Sequence, residues 1–105
     1  EAVAPMATAR EYHVMAVLDG KLYAVGGNGG FNNGDLSSVE RYDPALDAWE
    51  VVAPMAEARY MLAVAVLDGK LYVVGGEIDG DFLSSVERYD PAANTWEAVA
   101  PLATA

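Results

Sequence analysis

The 105-residue sequence has no cysteine and one histidine, His13. Disulfides, thiolate metal sites and cysteine nucleophiles are therefore excluded, and so is a histidine-rich metal site within one chain. Bases are scarce: six Lys and Arg stand against sixteen Asp and Glu, a formal charge of −10. That balance argues against nucleic acid and anionic membranes as partners, since both would repel it. No apolar run approaches the roughly 18 residues of a membrane span, and no basic-then-apolar leader opens the sequence. A soluble, cytoplasmic protein is expected. A sustained 3.6-residue period is also missing, which removes long helices. What is present is 53% hydrophobic residues with ten glycines and five prolines, the makings of a packed core with many turns.

An internal repeat organises the chain. Leu18-Asp19-Gly20-Lys21-Leu22-Tyr23 returns as Leu67-Asp68-Gly69-Lys70-Leu71-Tyr72, and the ten residues LSSVERYDPA at 36–45 return unchanged at 83–92. The shift changes from 49 to 47 because the segment after each Gly-Gly pair is eight residues long at 28–35 and six at 77–82. Outside that segment 29 of 41 aligned positions are identical, and all six basic residues fall in equivalent pairs: Arg10/Arg59, Lys21/Lys70 and Arg41/Arg88. The cations thus belong to a repeated scaffold and not to a patch made for one partner.

Each repeat reads as four short strands. The first, 14–18 (63–67), is apolar throughout and is expected to be buried on both faces. Asp19-Gly20 and Asp68-Gly69 predict two-residue type I′ hairpins, whose central residues both need positive φ. The second strand, 22–25 (71–74), stops at Gly26-Gly27 (Gly75-Gly76), where close backbone approach leaves no room for a Cβ. The third, 38–42 (85–89), ends in Asp43-Pro44 or Asp90-Pro91. The fourth runs from Trp49 to Ala53 (Trp96 to Ala100).

Four hydrophobic residues before Gly26-Gly27, then Tyr42 and Trp49, resemble the kelch repeat, as do their counterparts before Gly75-Gly76, Tyr89 and Trp96. Arg10-x-x-His13 and Val39-Glu40-Arg41-Tyr42-Asp43-Pro44 look like kelch consensus too, while Leu62 stands where that family often has His. The resemblance implies an all-β kelch-type propeller with two four-stranded blades per chain, the first strand at a central channel and the Trp strand outermost. The chain divides into an outer-strand tail (1–9), repeat 1 (10–58) and repeat 2 (59–105).

Two blades leave a bare apolar face at each end, about 300 Å² apiece for four strands of five residues. Such faces are expected to find copies of themselves. Propellers have about 4–8 blades, so a dimer, trimer or tetramer closes a ring, and the family's common six favours a homotrimer. Residues 1–9 (EAVAPMATA) repeat 97–105 (EAVAPLATA) with one change, Met6 for Leu102. The duplicated ends and the near-identity of the repeats look like an excision from a symmetrised, designed propeller; a recent duplication in a natural chain is the alternative. Residues 97–101, directly after Trp96, are expected to hold the outer-strand slot and leave residues 1–4 dispensable.

The loops between second and third strands share one face of such a ring with the links between blades. By resemblance this face takes peptide or protein partners, and its candidate residues are Arg10, Tyr12, His13, Asn32, Arg59 and Tyr60. The competing expectation is that both arginines pair with Glu40, Glu87 or loop carboxylates and hold the ring. Three copies of His13 around an axis suggest Zn²⁺ or Cu²⁺, but a six-bladed channel is too wide for imidazoles to meet one ion at ~2.1 Å. Glu40, Asp43, Glu87 and Asp90 recur in both repeats and read as turn and surface residues, not an acid–base pair. Asp35, Asp79 and Asp81 lack the dense alternation of a Ca²⁺ loop, and the glycine-rich 26–30 lacks the Lys and helix of a phosphate cradle. The expected function is a non-catalytic scaffold without metal or cofactor that assembles with itself. A peptide-binding module is the alternative, and a sugar-active or metal-dependent propeller enzyme is the second alternative.

Overall fold

In a computed structural model, residues 4–6, 10, 13–29, 34, 36–60, 62–78 and 80–101 are described, and they form strands and turns. No helix among them is long and apolar enough to cross a membrane. The strands are β1 (Val14–Leu18), β2 (Lys21–Val25), β3 (Val39–Asp43) and β4 (Ala48–Val52), then β5 (Ala63–Leu67), β6 (Lys70–Val74), β7 (Glu77–Ile78), β8 (Asp81–Phe82), β9 (Val86–Asp90) and β10 (Thr95–Val99). β1 to β4 pair in chain order as one antiparallel sheet, and β5, β6, β9 and β10 form a second, so each repeat is one four-stranded blade. Between β6 and β9, the small β7–β8 hairpin adds a pair of strands that the sequence reading leaves as loop.

The Asp-Gly turns have the predicted backbone, with φ of 52° and 75° at Asp19-Gly20 and 51° and 72° at Asp68-Gly69. The third and fourth strands are each displaced by one residue from expectation, for local reasons. Gly26, at φ 63°, donates its N–H to the Ser38 carbonyl and ends the regular β2–β3 ladder, so β3 starts at Val39. β4 stops at Val52 because Ala53 turns away: its N–H donates to Asn94 Oδ1 at 2.9 Å in the other blade.

Strand register sorts each blade into two faces. Val14, Ala16, Leu18, Tyr23, Val25, Val39 and Val52 share the leading face of blade 1; Leu22, Ala24, Tyr42 and Trp49 share its trailing face. The core is one interface, the leading face of blade 1 (Leu18, Tyr23, Val25, Val39, Val52) against the trailing face of blade 2 (Leu71, Val73, Tyr89), with Met55 and Leu62 sealing the link between them. At its centre Tyr23 meets Tyr89 edge-on, with ring centroids 5.8 Å apart.

This arrangement corrects the reading of the first strands as buried on both faces. Val17 is 65% exposed, and β5 is exposed at four of its five residues. The innermost strands carry apolar residues on both sides, yet within one chain β1 has a blade only in front of it and β5 only behind it. Truncating Leu71, fully buried at the interface, to alanine should lower stability by about 2–5 kcal/mol. Leu46→Ala, on an exposed turn, should change it by less than about 0.5 kcal/mol, both read by urea denaturation at fixed protein concentration.

Candidate functional site

The links between blades and the β2–β3 and β6–β9 loops lie together at one end of the sheets, and two arginines organise them. Arg59 sits four residues before β5. Its guanidinium donates to the carbonyls of Gly75 (2.8 Å) and Ser85 (2.9 Å), to Ser85 Oγ (3.1 Å) and to Glu87 Oε2 (2.8 Å). Arg10, four residues before β1, makes the same set with Gly26, Ser38 and Glu40 at 2.9–3.0 Å. Both guanidinium side chains are wholly buried, as are the carboxylates of Glu40 and, almost, Glu87. Glu87 also accepts the N–H groups of Ala56 (2.7 Å) and Glu57 (3.3 Å), tying the link to the blade. The main chain of Arg59 reaches the other way: its N–H donates to the Leu36 carbonyl and its carbonyl accepts the Gly27 N–H at 2.7 Å.

Of the sequence-predicted ligand-face residues, Arg10 and Arg59 therefore serve the structural role that was their competing expectation. Neither guanidinium reaches solvent in the single chain. Tyr12 and Asn32 lie outside the described residues. Tyr60 pairs its main chain with Glu77 and donates its hydroxyl to Glu77 Oε1 at 3.4 Å. His13 is half-buried with Nδ1 sealed from water and lacking a hydrogen bond; burial, then the nearby Arg10 charge, hold its pKa below the ordinary value. Among the described residues no three His, Asp or Glu gather in a way that suits a metal.

The close approach at the glycine pairs is visible in the contacts. A Cβ on Gly26 would stand 2.6 Å from the Arg59 carbonyl oxygen, so the side-chain-free position is what lets the link cross the blade. Opposite the loop end, the hairpin turns enclose an open cleft of about 310 Å³ lined by Lys21, Tyr23 and Arg41 of blade 1 and Asp90 of blade 2. Arg41 is held there by Glu50 (Nε to Oε1, 2.7 Å) and by the Tyr23 hydroxyl at 3.3 Å. Sequence reasoning did not find this cleft, because its walls come from both repeats and only their apposition makes it.

The Kelch motif family model matches residues 9–56 and 58–103. Kelch-like protein 33 of Homo sapiens is 47% identical over 49 residues, which is 47% of this chain and 9% of that protein. F-box protein AFR of Arabidopsis thaliana is 44% identical over 49 residues, 47% of this chain and 13% of that protein. The chain thus spans about a tenth of the length of these relatives. A solved structure titled "Structure of YjhT" superposes on 99% of this chain and 42% of its own with a TM-score of 0.90; at 19% identity that likeness shows the fold alone.

Two predictions follow from the buried polar groups. Arg59→Met should lower stability by about 3–5 kcal/mol, because it strands the Glu87 carboxylate, and adding Glu87→Leu should recover part of that loss in urea denaturation, the remainder reflecting the Ala56 and Glu57 N–H groups left without their acceptor. His13 has a folded pKa below its unfolded one, so the unfolded chain takes the proton first and stability falls as pH drops through about 6.5. His13→Leu, the residue that repeat 2 buries at the same place as Leu62, should flatten the urea midpoint between pH 8 and pH 5.

Proposed function

This chain belongs to the kelch-repeat family, and from that membership we propose that it is a non-catalytic scaffold whose two blades complete a closed β-propeller with further copies of the same chain. One observation carries the reading: equivalent residues differ in exposure only by what stands in front of them. Leu18 on the leading face of blade 1 is 3% exposed, and its counterpart Leu67 on blade 2 is 58% exposed. Tyr23 and Val25 are buried, while Tyr72 and Val74 are half-buried. On the trailing side the order reverses: Leu71 and Tyr89 are buried, Leu22 and Tyr42 half-buried. The surface that covers Leu18 is the trailing face of blade 2, and blade 1 carries a near-copy of it. A second chain therefore presents the very surface that the open leading face fits, and the contact is heterologous, the kind that closes rings. Three copies give six blades; two or four copies give four or eight. Near-identity of the blades also fits an engineered, symmetrised origin.

A non-catalytic reading is supported by the two buried arginine–glutamate pairs at the loop end, which are committed to holding the main chain. A second reading, a peptide-binding module, draws on Phe82, which stands 72% exposed on the β7–β8 hairpin at the loop end.

Light scattering tests the assembly. The wild-type chain should run at about 33 kDa, three times its 11.1 kDa. Leu67→Glu, which alters a residue exposed in the single chain, should reduce the mass to one copy while the β-sheet circular dichroism persists. A single-copy wild type at all concentrations refutes the assembly, and so does a Leu67→Glu variant that keeps the full mass.

A further inference from the structure

We infer that each junction between copies is a hybrid, in which residues 97–99 of one chain complete the outer strand and the N-terminal segment of the next chain, from Ala4 to Arg10, supplies the crossing that follows. This rests on the ring assembly proposed above. It decides between the two copies of the duplicated segment.

The internal junction is the template. After β4, the Ala53 N–H donates to Asn94 Oδ1 and its carbonyl accepts Trp96 Nε1 at 2.7 Å. Further along, the Met55 N–H donates to the Ser37 carbonyl (2.9 Å), the Arg59 N–H to the Leu36 carbonyl (3.1 Å), and the Gly27 N–H to the Arg59 carbonyl (2.7 Å). The link thus bonds forward to blade 2 and backward to blade 1.

The N-terminal segment already makes the forward half on blade 1. The Ala4 N–H donates to Asp47 Oδ1 at 3.0 Å, and the Ala4 carbonyl accepts Trp49 Nε1 at 2.7 Å. Arg10 seats its guanidinium in blade 1 as Arg59 does in blade 2. The backward half has no sheet to meet within one chain. Its counterparts stand at the open end of blade 2: the Gly76 N–H and the Leu83 and Ser84 carbonyls occupy the places of Gly27, Leu36 and Ser37. Among the described residues, none of these three groups has a hydrogen-bond partner. They are matched to the Arg10 carbonyl, the Arg10 N–H and the Met6 N–H of the next chain.

The outer strand itself is already filled. Glu97, Ala98 and Val99 pair with Arg88, Glu87 and Val86 in β10–β9, so the outer-strand position is taken by the chain's own residues. Ala4, by contrast, is engaged, which departs from the expectation that residues 1–4 are dispensable. The slot at Asp47 and Trp49 is held by a segment of the same chain, and an intramolecular occupant outcompetes the tail of a neighbour at ordinary concentrations.

Met6 and Leu102 are the one difference between the two segments, and they allow a test. Met55, the counterpart of Met6 in the internal junction, is buried, while Met6 is half-buried in the single chain. Native mass spectrometry of the 105-residue chain should show Met6→Glu as single copies at a concentration where wild type is trimeric, and Leu102→Glu as trimer. The reverse pattern, or an intact Met6→Glu trimer, overturns the hybrid junction while leaving the ring. A wild type that is itself single-copy overturns the ring and this junction together. Should Met6→Glu fail to fold, removal of residues 102–105 decides: the trimer survives if the crossing is N-terminal, and its loss overturns the inference. In the wild-type trimer the Gly76 amide should also exchange with solvent more slowly than in Leu67→Glu, and equal rates count against the inference.

Discussion

The two blades keep their relative position because Arg59 belongs to both. Its peptide groups are hydrogen-bonded to blade 1, at Leu36 and Gly27, while its side chain ends inside blade 2 against Gly75, Ser85 and Glu87. A buried guanidinium alone would be strongly destabilising. Here the Glu87 carboxylate at 2.8 Å, Glu57 at 3.6 Å and several fixed oxygens surround it, so the same charge that is costly to bury makes one arrangement of the link far better than any other. Glu87 extends the constraint by accepting two N–H groups of the link. Apolar packing supplies the driving force between blades; Tyr23 on Tyr89 and Leu18 under blade 2 would tolerate some sliding. The arginine does not, because displacing it by an ångström breaks hydrogen bonds in both sheets.

Much of this was legible from the residues. The Asp-Gly hairpins, the glycine pairs, the four-strand repeat and the pairing of Arg59 with Glu87 all rest on local chemistry that recurs twice in one chain. Strand ends were less legible, because Ala53 leaves its strand for a partner in the other repeat, Asn94, which no local pattern announces. The apolar run of β5 misled for a related reason. It carries apolar side chains on both sides, and in the single chain a blade packs against only one of them. The cleft between Lys21 and Asp90 was invisible for the same cause, since its walls lie 69 positions apart in the sequence. What reads well in this chain is intra-repeat; what reads poorly is inter-repeat.

The distinction bears on function. Residues that recur in both repeats, such as Arg10 and Arg59, hold main chain and carboxylate inside each blade. Differences between the repeats concentrate between the second and third strands, where repeat 1 has the eight-residue segment 28–35 and repeat 2 the six-residue segment 77–82 that holds the β7–β8 hairpin. The proposed self-association would therefore draw on what the repeats share, and any recognition of other molecules on what they do not. In the proposed ring of three chains the two loop types would alternate, so the strands would follow near-sixfold symmetry while the loop end would be only threefold.

Whether such copies close or run on as a filament depends on the angle between successive blades. In the proposed ring the same side chains and main-chain groups would meet between copies as within the chain: Leu67 in the place of Leu18, Leu22 in that of Leu71, Arg10 in that of Arg59. An interface built from the same contacts repeats the same rotation, so the internal junction fixes the angle of every other one. An open chain of blades would then close on itself at the blade number that this rotation divides, rounded to an even count because blades arrive in pairs. In the proposed ring, strain from that rounding would be shared over all junctions, and the buried guanidinium anchors, which tolerate the least displacement, would limit how much of it the ring absorbs.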